Sequence, residues 1–147
     1  MKNKIISIAV AFILIAVAAY YYVNRKTQSL TDRRADYKIS AIKFLEEYSA
    51  DQVLSDKKYL GKIIQVDGNL KEVDVNDSGF LTFVLGEVGT MSSVRCSVDT
   101  SLILDQSTYK VGSAVSLKGE CTGFNADELG LGADIVLNRS IIIQNKK

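Results

Sequence analysis

The chain has 147 residues and a formal net charge of +1. That length suits one modest core, and a second globular domain is not expected once a hydrophobic leader is set aside. Histidine, tryptophan and proline are absent, which removes the commonest general base near neutral pH and the commonest zinc ligand, and with them many enzyme classes.

Residues 5–23 (IISIAVAFILIAVAAYYYV) are nineteen consecutive residues without a charge. As a helix rising about 1.5 Å per residue they would span about 28 Å, close to a hydrocarbon core. Lys2 and Lys4 precede the run, Arg25 and Lys26 follow it, and Tyr20, Tyr21 and Tyr22 suit the headgroup interface. Residues 1–23 are therefore expected to form an N-terminal transmembrane anchor. The alternative is a cleaved signal peptide, with Ala16-Val17-Ala18 as the processing site; the length and the aromatic collar favour retention. No cysteine follows the run, which argues against a lipoprotein anchor. The basic residues do not separate the two sides, but a short tail with two lysines suits an uncleaved signal anchor. The rest of the chain is expected on the exported, periplasmic side of a single-pass membrane protein.

Residues 24–38 are largely polar, carry both signs of charge and show no apolar period, so they read as a linker. From residue 39 the pattern changes. Ala41, Ile42, Phe44, Leu45 and Tyr48 recur at helical spacing behind Ser40 as N-cap, and a second short helix is expected over about residues 51–58. Beyond Gly61 the period falls to two. A first strand puts Ile64, Val66, Gly68 and Leu70 on one face, and Asn76-Asp77-Ser78-Gly79 makes a hairpin turn. The second strand, 80–85, separates Leu81, Phe83 and Leu85 from Phe80, Thr82 and Val84. The third separates Val94, Cys96 and Val98 from Ser93, Arg95 and Ser97. Leu102, Ile103 and Leu104 fit a helical turn that plugs a barrel. A fourth strand aligns Val115, Leu117, Gly119 and Cys121. A mobile loop is expected over 124–133, and a fifth strand, 134–143, is apolar on both sides.

Three strands, a plug and two more strands predict an all-β fold: a five-stranded OB-fold barrel over residues 39–145, preceded by a helical segment and the N-terminal transmembrane helix. Gly68 sits where a long first strand must bend through both sheets. A small open sandwich is the alternative, but closure removes exposed edges.

Several pieces of this sequence resemble the tRNA-anticodon-binding-like OB-domain family, found widely in bacterial membrane-anchored and exported proteins. They are Ile39-Ser40-Ala41, Lys58-Tyr59-Leu60-Gly61-Lys62, Val66-Asp67-Gly68, Val94-Arg95-Cys96, Lys118-Gly119-Glu120-Cys121-Thr122-Gly123 and Asp134-Ile135-Val136-Leu137-Asn138. The resemblance implies an OB-fold, often behind an N-terminal anchor, with no established catalytic residues. The chain departs from the family at Ser140, at or beside a position often held by a third cysteine.

In OB-folds ligands cross the outer face of the second and third strands, which makes Phe80, Thr82, Ser93, Arg95 and Ser97 the candidate ligand-binding residues. An aromatic beside an arginine could stack on a base or a sugar; the plainer reading is a surface aromatic covering aliphatic stems. Cys96 and Cys121 could form a disulfide in an exported domain. Their strands are separated by the fifth, however, and both share faces with aliphatic residues, which suits two buried free thiols. Asn125, Asp127 and Glu128 lack the spacing of a calcium loop, and no metal or cofactor is expected. Residues 59–145 hold six basic against eleven acidic residues, a net charge of −5, which opposes a polyphosphate partner. The expectation is a non-catalytic binding or interaction module at the cell envelope for a protein, peptide or glycan. A single-stranded nucleic-acid binder is the rival, and an enzyme is not expected, since the chain has neither a CxxC motif nor a nucleophile paired with a base.

Overall fold

The computed structural model describes residues 13–18, 20, 22, 30–77, 79–99, 108–126 and 132–143. Residues 13–18 are helical, with Ile13, Leu14, Ile15 and Val17 exposed. Among the described residues no helix is long and apolar enough to cross a membrane; most of the expected anchor, residues 5–23, lies outside them. So does the expected plug at Leu102–Leu104.

The domain opens with strand β1 (Tyr37–Ser40) and helices α1 (Ala41–Ala50) and α2 (Gln52–Tyr59). Strands β2 (Ile63–Val75), β3 (Leu81–Leu85), β4 (Ser93–Val98), β5 (Ala114–Ala126) and β6 (Ala133–Ile142) follow. Neighbours run β1-β2-β3-β4-β6-β5, and β2 also pairs with β5, which closes β2 to β6 into a five-stranded barrel. The β4–β6 contact is parallel; the other contacts of the ring are antiparallel. Closure works because β2 changes partner along its length. Residues 63–69 pair with β5 and residues 70–75 with β3, and the register shifts between Leu70 and Glu72. A bulge there turns the strand through the corner.

Alternation fills the interior as the sequence suggests. Ile64, Val66, Leu70, Phe83, Leu85, Val94, Cys96, Leu117, Cys121, Ile135 and Leu137 are fully buried. Gly68 belongs to this face, and its role is close approach. A Cβ there would lie 2.9 Å from the Ala41 Cβ of α1, so the helix reaches the strand only over a bare backbone. The turn after β2 forms as expected, with Gly79 at φ 79° and the Asn76 side chain accepting from Phe80 N at 2.9 Å.

Helix α1 starts at Ser40, whose hydroxyl accepts from Lys43 N, and α2 starts at Asp51, whose carboxylate accepts from Leu54 N at 2.9 Å; both satisfy amides left open by a first turn. Ala41, Phe44 and Tyr48 share the buried face of α1, whereas Ile42 faces solvent. The Phe44 ring meets those of Tyr48 and Tyr59 edge-on at 5.5 and 4.9 Å, and Tyr48 stacks on Phe124 at 4.9 Å. This aromatic lid covers one end of the barrel. Tyr59 donates to Glu47, which also pairs with Lys58 at 2.8 Å; Lys58, then Tyr59, hold that carboxyl below its usual range. Phe124 sits in β5, which continues to Ala126 in register with β6, rather than opening the expected loop; residues 127–131 are outside the described set.

The segment read as a linker up to residue 38 joins the domain from residue 30 onward. Leu30 is buried against Ile63 and Ile141. Asp36 holds Ile63 through its carboxylate (2.8 Å) and its backbone N–H (2.7 Å), and Tyr37–Ser40 adds a parallel strand beside β2. Lys118, only 8% exposed, donates to the carbonyls of Arg33 (2.7 Å) and Thr31 (3.4 Å). The shorter of these, a charge-assisted bond, contributes about 1.5–3 kcal/mol. Lys118→Ala is therefore expected to release residues 30–36 and to speed limited tryptic cleavage after Arg33 or Arg34 about tenfold. An unchanged digestion rate would refute the strap's dependence on this lysine.

The disulfide alternative is not realised in the structure, where Cys96 and Cys121 are both free and buried. Both pair with Leu137 of β6, from opposite sides. Two ladder spacings of about 4.8 Å separate them, beyond the roughly 7 Å that a bridge tolerates. Burial pushes the Cys96 thiol up to about 12 and raises that of Cys121, which lies 3.6 Å from the Tyr48 hydroxyl. Thiolate is the reactive form, so neither cysteine should react with iodoacetamide in the native protein at pH 8. Both should react after unfolding without reductant, and a native or reductant-dependent mass shift would contradict this.

Candidate functional site

The outer face of β3 and β4 carries the residues selected from the sequence, and the ladder fixes their neighbours. Asp74, Thr82 and Ser97 form one cross-strand row. Glu72, Val84, Arg95 and Val136 form the next, and Ser93 pairs with Asp134 beyond it. Thr82, Ser93, Arg95 and Ser97 are thus brought together. Phe80 lies just outside β3, is 48% exposed, and has its backbone pinned to Asn76.

The arginine of this face is already engaged. Its guanidinium meets Asp74 at 2.8 Å and Asp134 at 3.9 Å, and Ser93, only 3% exposed, donates its hydroxyl to the same Asp134. Ser93 therefore supports Asp134 and is closed to a ligand. Thr82, Ser97 and Phe80 remain accessible, beside three carboxylates and one neutralised cation. Sequence reasoning missed Asp74 and Asp134, because the register that joins β2, β4 and β6 is non-local. An exposed pair of this kind contributes about 0–1 kcal/mol to stability; its larger effect is on the field the face presents.

A second feature lies across the ring, at the seam of β2 and β5. Residues 31–35 cross the barrel wall there and border a groove of about 590 Å³ lined by Arg33, Arg34, Lys38, Lys118 and the isoleucines 141–143. Four cations face one acid, Asp32, in that lining. The acidic balance of residues 59–145 missed it because three of these cations precede residue 59. Charge on the domain is thus uneven, acidic on the β3–β4 wall and basic at the β2–β5 seam, a division that the net charge of −5 for residues 59–145 does not reveal.

No curated protein matches the chain in sequence. Among solved structures 28 chains match. One is the crystal structure of a "putative nucleic acid-binding lipoprotein" from Klebsiella pneumoniae subsp. pneumoniae MGH 78578, with a TM-score of 0.55 and 14% identity, covering 72% of this chain and 91% of that one. At that identity the likeness is one of fold. The tRNA_anti-like family model matches residues 1–135, from the hydrophobic leader into β6. The closed barrel, its helical lid and that match over most of the length have one conclusion: the chain belongs to the tRNA_anti-like family.

Proposed function

We propose that this protein is a non-catalytic OB-fold binding module of the cell envelope, anchored in a membrane by residues 5–23 with the barrel on the exported side. Its β3–β4 face takes a protein, peptide or glycan. The observation that carries the choice of ligand is the engagement of Arg95 by Asp74 and Asp134: a phosphate chain would have to break those pairs and approach three carboxylates. Thr82 and Ser97 offer hydroxyls, and Phe80 offers a ring at the edge, a set suited to a neutral or cationic partner. The non-catalytic reading is supported by a chain without histidine and by two thiols buried in the core. Anchoring is supported by the nineteen-residue uncharged run and by the exposed apolar side chains at Ile13, Leu14 and Ile15, which a lipid phase would cover.

A photo-crosslinking side chain at Ser97 of the full chain should yield adducts in the envelope that Phe80→Ala diminishes, and the same probe at exposed Lys110 should not. Absence of Ser97 adducts, or equal labelling at Lys110, would remove this face from the proposal. The rival reading, single-stranded nucleic-acid binding, draws on the name of the Klebsiella neighbour and on the cations of the β2–β5 groove. It requires oligonucleotide binding that weakens steeply with salt; no binding at low salt excludes it.

A further inference from the structure

We infer that the β2–β5 groove is a binding site for the headgroup of an anionic phospholipid, and that it seats the barrel on the membrane surface. The inference rests on the anchoring proposed above and adds the surface that meets the bilayer.

Charge complementarity is the first argument. Arg33, Arg34 and Lys38 are exposed, sit at one groove, and enter no ion pair among the described residues. Guanidinium forks match phosphate oxygens two at a time. Lys118 acts from beneath, holding the carbonyls of Thr31 and Arg33 so that the strap presents its arginines from a fixed backbone.

The second argument is the lining between the cations. The isoleucines 141–143 supply an apolar wall, and no aromatic side chain lines the groove. A single-stranded nucleic acid is held by aromatic platforms under its bases together with backbone charge, whereas a phospholipid presents an anion joined to a glycerol and acyl stem. The observed pairing of cations with aliphatic wall fits the lipid.

Reach is the third argument. Leu30 is buried in the domain, and residues 24–29 are all that separates it from the uncharged run. Even fully extended, that connection covers about 20–22 Å at 3.3–3.6 Å per residue. A strap beginning at residue 31 therefore stays near the headgroups to which the anchor leads. With the groove on the membrane, the β3–β4 wall is turned toward the aqueous side, where a partner can reach it.

Native mass spectrometry of the full chain, released from micelles holding equal phosphatidylglycerol and phosphatidylcholine, tests this. We expect phosphatidylglycerol to be retained at least tenfold over phosphatidylcholine. Each of Arg33→Gln, Arg34→Gln and Lys38→Gln should reduce that preference about fivefold, the factor set by roughly 1 kcal/mol per basic residue near an anionic surface. All three side chains are exposed, so the variants fold. Equal retention of the two lipids, an undiminished preference in the triple variant, or displacement of the lipid by a single-stranded oligonucleotide overturns the inference. The protein mass separates the two failures: a chain lacking the residues up to Ala18 sinks the anchoring, and a chain that keeps them without lipid preference sinks the groove assignment alone.

Discussion

Replacing Phe44 with alanine is expected to destabilise the domain by about 3–5 kcal/mol, the range for removing a fully buried phenylalanine from a core that cannot collapse around the gap. The ring is completely buried and holds the lid together, touching Tyr48 and Tyr59, while α1 itself contacts β2, β4 and β6. Aromatic pairs add about 0.5–1.5 kcal/mol beyond area, so the loss extends to the rings left behind. Ile42→Ala on the same helix is the internal control. That side chain faces solvent, and its removal should change stability by no more than about 0.5 kcal/mol. Urea unfolding followed by tyrosine fluorescence reads both variants. Comparable losses at the two positions would mean that α1 is not the barrel's lid.

The contrast between Phe44 and Ile42 shows what the sequence carries and what it does not. Period-two alternation from Ile64 onward and the helical period behind Ser40 are local signals, and local signals placed the barrel, the lid and the turn before β3. Both of these residues fitted the helical period; which one the barrel end would cover depended on where the strands lie. Leu30 and the strap escaped notice for a related reason. One leucine among Thr31, Asp32, Arg33 and Arg34 has no period to reveal it, and its partners Ile63 and Ile141 are far along the chain. The candidate ligand face was legible to the extent that Thr82, Arg95 and Ser97 alternate within their own strands. Its electrostatic character was not, because Asp74 and Asp134 reach Arg95 only through the register of β2 and β6. Phe124 shows the reverse error: the glycines at 130 and 132 suggested a loop from residue 124, while the stack on Tyr48 keeps β5 extended past it.

Gly119 is where a single added methyl should do most damage for its size. A Cβ there would fall 2.3 Å from Ser140 Oγ, 3.0 Å from Leu137 Cβ and 3.2 Å from the carbonyl oxygen of Asn138. The hydroxyl can rotate away, but only by giving up its bonds to the Leu137 carbonyl and the Cys96 thiol. The other two contacts belong to β6, which is fixed on both sides by β4 and β5. Gly119→Ala is therefore expected to cost about 1–3 kcal/mol by overpacking. Because the closest contact is with one side-chain oxygen, Ser140→Ala should restore about 1 kcal/mol or more of that loss in the double variant, a coupling typical of residues in direct contact. Denaturation midpoints of the two single variants and the double variant measure the cycle, and strictly additive losses would show that β6 yields instead. The same contact explains why a small side chain stands at position 140. The space between Gly119 and Cys96 is filled by one hydroxymethyl group, which lets β5 and β6 approach closely at that point.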